Sequence, residues 1–361
     1  MALKVAIIGS GNWGSAIAIV IGGSVVQHPE FENKVKMWVF EEKIDGKKLT
    51  EIINTKHENV KYLPGKKLPA NVVAVPDLLE AVRDADIMVF VLPHQFIPRT
   101  CQTIKGKIKS SAIGVSLVKG IMVLDNGDMK LISRFISEQL GIEVAVLMGA
   151  NLAIEVASGE FCEATIGCRS DGGPTLKKLF HTKSFRIVVV RDAYTVELCG
   201  ALKNIVACAA GICDGLGYGH NTGAAIFRLG LVEMLKFVQY FFPEYHQESF
   251  FESSGIADLY ASCIGGRNRR VSEALAKTGK PIEQLEKEML NGQRLQGPHT
   301  AELVHKNLTA HKINDKFPLF DAVHRICRGE LPPSGLITQL SDHPEHAKEM
   351  SEWIHTKLQK S

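Results

Sequence analysis

One lysine lies in a stretch of sequence that is otherwise nearly all apolar. Lys203, followed by Asn204, interrupts residues 196–210, which have the composition of a helix buried on almost every side. An ammonium group in such surroundings is costly unless it is paired, and burial lowers the pKa of lysines in general toward the range useful for proton transfer. The pattern therefore predicts a general acid or base, with Asp258 and Ser262 as candidate partners. The alternative is a lysine that extends to solvent at a domain boundary.

A glycine-rich turn near the N-terminus has the spacing of a dinucleotide-binding fingerprint. The motif G-x-G-x-x-G follows a predicted strand at 4–8 and opens a predicted helix at 15–21. In this context the glycines allow a tight turn, a close approach of backbone to pyrophosphate, and packing of helix on strand. The turn predicts NAD binding, and a turn that only packs the helix is the alternative. Its predicted cofactor-binding residues are Gly9, Ser10, Gly11, Asn12, Trp13 and Gly14.

The acidic residue that binds the adenosine ribose in such folds is not at its usual distance from the turn. Glu41 and Glu42 close the second predicted strand, later than the customary spacing of about 20 residues. No arginine follows this strand directly to accept a 2'-phosphate, so the sequence favours NAD over NADP. Lys43 keeps NADP open as an alternative.

Side chains capable of binding a ligand follow several other predicted strands. Lys119 and Asn151 each come directly after a run of β-branched residues, and Phe96 comes shortly after another, next to His94. Since ligands bind at the carboxyl ends of the strands in parallel sheets, we expect a site at this edge, with Phe96 beside the nicotinamide. The alternatives are a solvated Lys119, a core position for Phe96 and a hydrogen-bonded turn position for His94.

Residues 265–270 read Gly-Gly-Arg-Asn-Arg-Arg and precede a helical pattern at 271–276. Backbone N–H groups at the start of a helix, next to a planar guanidinium, form a suitable site for a phosphate. The segment therefore predicts phosphate binding. The alternative is a solvated basic face, to which one or two of Arg267, Arg269 and Arg270 would belong.

The elements that position these residues change in type along the chain. Up to residue 190, runs of consecutive apolar residues alternate with helical patterns, which is typical of parallel strands covered on both faces. After residue 191 long helical patterns replace them, at 195–210, 224–242 and 281–290. The predicted strands are 5–8, 35–40, 87–92, 113–118, 144–148 and 187–190.

The predicted fold class is α/β, an N-terminal Rossmann-like doubly wound sheet followed by a mainly α-helical C-terminal domain. We expect an NAD-binding domain at 1–190, a helical substrate-binding domain at 191–349 and a C-terminal tail at 350–361. A chain of 361 residues is long enough for about two domains.

The composition limits the classes of partner and compartment. The chain is 45% hydrophobic and 22% charged with a formal net charge of +3, so neither nucleic acid nor a membrane is expected as a partner. We expect no apolar stretch that approaches the roughly 18 residues needed to span a bilayer. Eight cysteines without a C-x-x-C pair predict reduced thiols and no metal site. Because the first predicted strand begins near residue 3, a signal peptide is not expected and a cytoplasmic location is.

Seven segments together resemble the eukaryotic cytosolic NAD-dependent glycerol-3-phosphate dehydrogenases, over nearly all of residues 3–346. The resemblance implies reversible hydride transfer between C4 of NADH and C2 of dihydroxyacetone phosphate, giving sn-glycerol 3-phosphate, in a homodimer. The segments are GSGNWGSA at 9–16, LTEIIN at 49–54, HENVKYLPG at 57–65, MGAN at 148–151, CGALKN at 199–204, GGRNR at 265–269 and LNGQRLQG at 290–297.

The resemblance also implies roles for individual residues. The lysine matching Lys203 transfers the proton at the C2 oxygen, and the residues matching Lys119 and Asp258 complete the catalytic set, with Asp258 supporting the lysine. The implied substrate-binding residues are Lys119, Asn151, Asn204, Ser262, Arg267 and Asn268. The further implied cofactor contacts are Phe40, Phe96, Ala153, Arg267, Arg294 and Gln296.

The chain departs from the usual family pattern at a few positions. Ser262 replaces a threonine, Arg294 a lysine and Gly223 a frequent lysine, and the tail after His346 is longer than in many relatives. Ser262 keeps a hydroxyl group and Arg294 keeps a positive charge, so the departures bear on binding strength more than on the reaction. Two other functions stay open from the sequence: a related dehydrogenase for another hydroxy acid or sugar phosphate, and a non-catalytic NAD sensor.

Overall fold

A computed structural model describes residues 2–124, 126–290 and 292–346 of the chain, so the predicted tail at 350–361 lies outside the described residues. The strands are β1 Leu3–Ile8, β2 Phe31–Trp38, β3 Lys43–Ile44, β4 Lys47–Lys48, β5 Val72–Val75, β6 Ile87–Phe90, β7 Ile113–Ser116, β8 Ile121–Val123, β9 Met129–Leu131, β10 Glu143–Met148, β11 Cys162–Gly167 and β12 Phe185–Val190.

Helices follow most of the strands, and every regular element after β12 in the described residues is helical. They are α1 Asn12–Val25, α2 Leu49–Lys56, α3 Leu78–Val82, α4 Ile97–Ile104, α5 Ile132–Leu140, α6 Ala153–Ala157, α7 Gly173–Phe180, α8 Ala193–Gly215, α9 His220–Phe241, α10 Asp258–Ile264, α11 Gly266–Thr278, α12 Ile282–Leu290, α13 Gln296–Ala310, α14 Pro318–Cys327 and α15 Gly335–Ser341. Short 3₁₀ turns lie at His94–Phe96, Gln247–Phe251, Asn314–Lys316 and Pro344–His346, and a π-helical turn lies at Ser253–Ala257.

Eight strands form one sheet in the order β12-β11-β10-β7-β6-β1-β2-β5. All neighbouring pairs are parallel except β10 and β11, which are antiparallel. Along β1, Val5 and Ile7 pack into the core formed with α1 and α7, whereas Ala6 and Ile8 pack into the core formed with α4 and α5. Because both faces are covered, consecutive residues of a strand are all apolar. The predicted fold class, a Rossmann-like sheet followed by a helical half, is confirmed.

The sheet contains two strands that the sequence did not predict. β5 is a four-residue edge strand, and β11 includes Glu163, Thr165 and Gly167, so neither has the long apolar run of a central parallel strand. The second strand also runs over Phe31–Trp38 instead of the predicted 35–40. Its first half includes the exposed Asn33 and Lys34, which carry no apolar signal.

Contacts divide the described chain into two compact units. The first comprises the described residues of 1–122, 129–201 and 238–258, and the second those of 123–128, 202–237 and 259 onward. Within the second unit, Glu233 of α9 accepts hydrogen bonds from the backbone N–H groups of Leu319 and Phe320, at 2.7 and 2.9 Å, where α14 begins. The predicted domain boundaries after residues 190 and 349 stay predictions.

Helix α8 is the long apolar helix of the described chain. Its 23 residues are long and apolar enough, by length and composition alone, to cross a membrane, and the sequence expectation of no such stretch was wrong on that point. The expectation failed because Glu197, Lys203 and Asn204 interrupt the run without lowering its average hydropathy far enough. Every residue of the most apolar 18-residue window is buried, which is the behaviour of a core helix.

Candidate active site

The glycine-rich turn between β1 and α1 gives each glycine a different task. Gly9 has a φ of +116°, and a Cβ atom there would lie 2.3 Å from the carbonyl oxygen of Val91. A Cβ atom on Gly14 would lie 2.3 Å from the carbonyl oxygen of Gly9, so this position brings helix and strand together. A Cβ atom on Gly11 would meet nothing within 4 Å. The turn is therefore closely packed at its first and third glycines and open at its second.

The open position coincides with the start of α1. Gly11 is the N-cap residue of this helix, no side chain caps it, and no acidic residue lies in the first turn. The first N–H groups of a helix have no partner within the helix, and the helix dipole makes this end a good site for an anion. The cradle therefore fits the pyrophosphate of a dinucleotide. Around it, Ser10 is buried, Asn12 donates to the carbonyl oxygen of Tyr62, and the ring of Trp13 packs edge-on against Phe185.

The two acidic residues after β2 are both held by other side chains. Glu41 accepts hydrogen bonds from the backbone N–H and the hydroxyl of Thr50, at 3.2 and 2.6 Å. Glu42 accepts from the Tyr62 hydroxyl at 2.7 Å and forms an ion pair with Lys61, whose hydrogen bond lowers the pKa of Glu42. Two carboxylates with fixed orientations therefore follow β2, where folds of this type place the acidic residue that binds the adenosine ribose.

Phe40, in the same segment, is 70% exposed. Phe96, which follows β6, is 51% exposed, so the alternative of a core position for Phe96 does not hold. Single exposed apolar side chains are common on protein surfaces, so this exposure permits a ligand contact at both positions without establishing one. Both aromatic rings are accessible for such a role.

Lys119 and Asp258 form an ion pair within the first unit. The Lys119 ammonium donates to a carboxylate oxygen of Asp258 at 2.9 Å and to the carbonyl oxygen of Gly149 at 3.3 Å. The Asp258 side chain is 3% exposed and the Lys119 side chain 24%. Lys119 is therefore fixed by two partners, and the alternative of a simply solvated lysine does not hold. The expectation that Asp258 supports Lys203 stays a prediction.

Asn151 and Ala153 follow β10 in the same unit. The Asn151 side-chain amide donates to the carbonyl oxygen of Glu163 at 2.9 Å, and Ala153 is the first residue of α6. A Cβ atom on Gly149 would lie 2.8 Å from the amide oxygen of Asn151, so glycine lets this amide lie against the backbone. The hydrogen bond and the close packing fix the orientation of the Asn151 side chain.

Lys203 is buried on α8, in the second unit. It is 6% exposed, and its ammonium donates to the Ser262 hydroxyl of α10 at 2.7 Å. The lysine therefore does not extend to solvent, which was the alternative weighed from the sequence. Because an ammonium has three N–H donors and no lone pair, the Ser262 oxygen accepts a hydrogen bond from one of them and fixes the direction of the group.

A chain of amides links α8, α11 and α13 in the same unit. The Asn268 side-chain amide donates to Asn204 Oδ1 at 2.8 Å, and Asn268 Oδ1 accepts from the backbone N–H of Gly297 at 2.9 Å. A Cβ atom on Gly297 would lie 2.6 Å from the carbonyl oxygen of Asn204 and 2.4 Å from the thiol of Cys208. Two side-chain amides and one glycine thus hold the start of α11 against α8.

The basic residues of α11 separate into two kinds. Arg267 is exposed at the start of the helix, where the guanidinium donates to the side-chain oxygen of Gln293 at 2.8 Å. The Arg269 guanidinium forms an ion pair with Asp214 at 2.7 Å, so its role is structural. The helix has an extended N-cap at Gly265, no capping side chain and no acidic residue in its first turn. Such a helix start, with an accessible guanidinium, fits an anion.

Two predicted cofactor contacts lie just before and at the start of α13. Arg294 is exposed, and Gln296 is the partly buried first residue of the helix. In the described ranges, no group of three histidine, cysteine, aspartate or glutamate side chains is arranged to hold a metal ion. Sequence reasoning did not single out Asn59, which is fully buried beneath the glycine-rich turn.

Two family models match the chain. The model described as the NAD-dependent glycerol-3-phosphate dehydrogenase N-terminus matches residues 4–172, and the model of the C-terminus matches residues 192–338. The chain is 59% identical to the cytoplasmic NAD(+) glycerol-3-phosphate dehydrogenase of Drosophila ezoana and 58% identical to that of Homo sapiens. Each alignment covers 95% of this chain and 99% of the relative.

A solved structure is similar as well. The glycerol-3-phosphate dehydrogenase of Saccharomyces cerevisiae has a TM-score of 0.89 and 45% identity, covering 95% of this chain and 100% of that one. The similarity therefore extends through both halves of the chain and includes the glycine-rich turn, α8 and α11.

Proposed function

Because this chain belongs to the family of NAD-dependent glycerol-3-phosphate dehydrogenases, we propose how its own residues carry out the reaction of that family. The chain is a cytoplasmic oxidoreductase that uses NAD to interconvert dihydroxyacetone phosphate and sn-glycerol 3-phosphate. A related dehydrogenase for another substrate and a non-catalytic NAD sensor are not favoured by relatives that match at this identity over both halves.

Lys203 is the proton donor at the C2 oxygen during reduction and the acceptor during oxidation. The observation that carries this assignment is its position: a buried ammonium held by Ser262 at 2.7 Å, on a helix that is mostly apolar. When bound, NADH supplies the hydride to C2. Lys203 then supplies the proton that neutralises the developing alkoxide, and a buried cation stabilises that negative charge more strongly than an exposed one.

The start of α11 binds the substrate phosphate. Arg267 supplies an accessible guanidinium there, and the helix start supplies unsatisfied N–H groups. Asn268, fixed by Asn204 and Gly297, supplies the amide of this site. In this arrangement Arg269 acts only through packing, since Asp214 occupies its guanidinium.

Lys119 and Asn151 orient the substrate at its C2 end, and Asp258 fixes the ammonium of Lys119. The cofactor binds along the glycine-rich turn, with Phe40, Phe96 and Ala153 as further contacts; Arg294 and Gln296 also contact it. The accessible rings of Phe40 and Phe96 and the open space above Gly11 support this proposal.

The reaction is tested by following the absorbance of NADH when dihydroxyacetone phosphate is added. The expected result is oxidation of NADH that depends on both the ketone and its phosphate. NADPH, dihydroxyacetone without phosphate and other ketones serve as controls and should react far more slowly. Equal turnover with dihydroxyacetone would contradict the phosphate site at α11.

We further propose that the enzyme is a homodimer, with the NAD-binding domain at 1–190 and the substrate-binding domain at 191–349. The resemblance to the family supports both statements. Light scattering coupled to size-exclusion chromatography measures the mass directly. A mass near twice 39.6 kDa is expected, and a single-chain mass at enzyme concentrations that give full activity would refute the dimer.

A further inference from the structure

A loop asparagine reaches under the glycine-rich turn from far along the chain. Asn59 is 0% exposed, and its side-chain amide donates to the carbonyl oxygen of Ser10 at 2.7 Å and to the Ser15 hydroxyl at 2.9 Å. Its amide oxygen accepts from the backbone N–H of Tyr62 at 3.2 Å. The side chain thus donates one hydrogen bond to the turn and one to the first turn of α1, and its oxygen accepts one from its own loop.

These contacts fix the orientation of one peptide group. In a planar trans peptide the C=O of one residue and the N–H of the next point in opposite directions. Because the Ser10 carbonyl points to Asn59, inside the protein, the N–H of Gly11 points away from Asn59. The space around Gly11 is the open part of the turn. The Asn59 amide therefore holds the peptide group in the orientation that presents an N–H donor to a pyrophosphate.

The same loop binds the turn at a second point and reaches the end of β2. The Tyr62 carbonyl oxygen accepts from the Asn12 side chain at 2.8 Å, while the Tyr62 hydroxyl donates to Glu42 at 2.7 Å. Lys61 pairs with Glu42 as well. Residues 59–62, which we call the brace, thus connect the pyrophosphate turn with the carboxylate that follows the second strand.

We propose that Asn59 is a positioning residue for NAD binding, which acts through the Ser10–Gly11 peptide group and touches neither cofactor nor substrate. The proposal rests on the NAD-dependent function given above. If the Asn59 amide is removed, the Ser10 carbonyl keeps only the longer hydrogen bond from the Ser15 hydroxyl, at 3.2 Å, so the Gly11 N–H is held outward less firmly. The loss should therefore appear in the affinity for NADH and leave the rate of the bound enzyme nearly unchanged.

The test compares the full-length parent with Asn59→Ala and with Asn307→Ala as a matched control. Asn307 is also 0% exposed, and its amide donates to one backbone carbonyl oxygen, that of Gly127, at 3.0 Å. NADH affinity is measured by fluorescence titration without substrate, and stability by thermal unfolding. Asn59→Ala should weaken NADH binding about tenfold or more while kcat at saturating NADH stays within about threefold. Asn307→Ala should lose stability but bind NADH like the parent.

A second variant keeps the test decisive if Asn59→Ala does not fold. In Asn59→Asp the carboxylate has no hydrogen to donate and adds a negative charge close to the pyrophosphate turn, so the affinity should fall further near pH 8. Once protonated, the carboxyl can donate to the Ser10 oxygen. Because burial at this fully buried position raises the pKa of a carboxyl group, NADH affinity of this variant should recover toward the parent value as the pH falls to about 5.5.

Three outcomes would overturn the proposal. They are NADH affinity of Asn59→Ala within about twofold of the parent, an equal loss in Asn307→Ala, and no recovery of Asn59→Asp at low pH. A failure of the proposed function looks different: the parent itself would bind NADH but not oxidise it when dihydroxyacetone phosphate is added. The binding titrations therefore separate the two ideas.

Discussion

From the packing of the glycine-rich turn we predict that Gly14→Ala lowers stability, whereas Gly11→Ala lowers the affinity for NADH. A Cβ atom on Gly14 would lie 2.3 Å from the Gly9 carbonyl oxygen, whereas one on Gly11 would meet no protein atom within 4 Å. Gly11 has a φ of −63°, which any residue can adopt. Gly14→Ala therefore strains the fold itself, while Gly11→Ala fills only the space over the turn.

The sizes of the two effects follow from these contacts. Alanine in place of Gly14 gains up to about 1 kcal/mol of helix propensity, but overpacking costs typically about 1–3 kcal/mol and more where a backbone atom blocks the way. Because 2.3 Å is far inside a van der Waals contact, the loss should exceed the gain. At about 2 °C per kcal/mol for a long chain, a net loss of about 1–2 kcal/mol should lower the Tm of Gly14→Ala by about 2–4 °C.

For Gly11→Ala the cost in stability should stay below about 1 kcal/mol, as for an N-cap exchange of glycine for alanine. The methyl group holds the pyrophosphate away from the backbone and removes at least one hydrogen bond to a charged group, about 1.5–3 kcal/mol. The Kd for NADH should therefore rise about tenfold to a hundredfold. Thermal unfolding and NADH titration measure both quantities. A parent-like Kd in Gly11→Ala, or a parent-like Tm in Gly14→Ala, would refute this account of the turn.

Two further predictions concern the phosphate site and the pH dependence of stability. Arg267→Ala should raise the KM for dihydroxyacetone phosphate about tenfold, because it removes a charge-assisted hydrogen bond to the phosphate. Arg270→Ala is the control: Arg270 is also exposed, and its replacement should change KM by less than about twofold. Glu197, which accepts a hydrogen bond from the Ser133 backbone at 3.0 Å, is fully buried, and burial raises its pKa to about 7 from an ordinary value near 4.5. The folded chain then keeps a proton that the unfolded chain has released, so stability should fall as pH rises from about 4.5 to about 7 and level off above, by up to about 3 kcal/mol. The free energy of unfolding, measured with urea across this pH range, should depend less on pH in Glu197→Gln than in the parent. An unchanged pH dependence would exclude Glu197 as its source.

The elements of the fold that sequence could predict are those with a strong local signal. β1, β6, β7 and β10 are runs of apolar residues covered on both faces, so their composition alone marks them. β5 and β11 lack that signal and are strands because of their pairing with neighbours. Four residues of β5 pair with β2, and β11 runs antiparallel to β10. Register and direction depend on partners distant in sequence, which periodicity does not contain.

The candidate site shows the same division. Two features of the site are visible in the sequence: the glycine spacing, which matches a known motif, and the lysine, which breaks the apolar pattern of its helix. The contacts that fix them are not: Ser262 lies 59 residues after Lys203, and Asn59 lies 49 residues after Ser10. A buried loop asparagine has no composition signal. Only the structure identifies which of Arg267 and Arg269 remains accessible, because Asp214 binds the second of them.

The central claim, that Lys203 transfers the proton at C2, is tested most directly by the turnover of Lys203→Met at saturating NADH and dihydroxyacetone phosphate. Loss of a general acid should lower kcat by at least about a hundredfold, while the Kd for NADH stays within about twofold. Lys236→Met is the matched control, since Lys236 is also largely buried, paired with Glu345, and should keep parent-like turnover. A Lys203→Met enzyme that reduces dihydroxyacetone phosphate at a rate close to that of the parent would contradict the account.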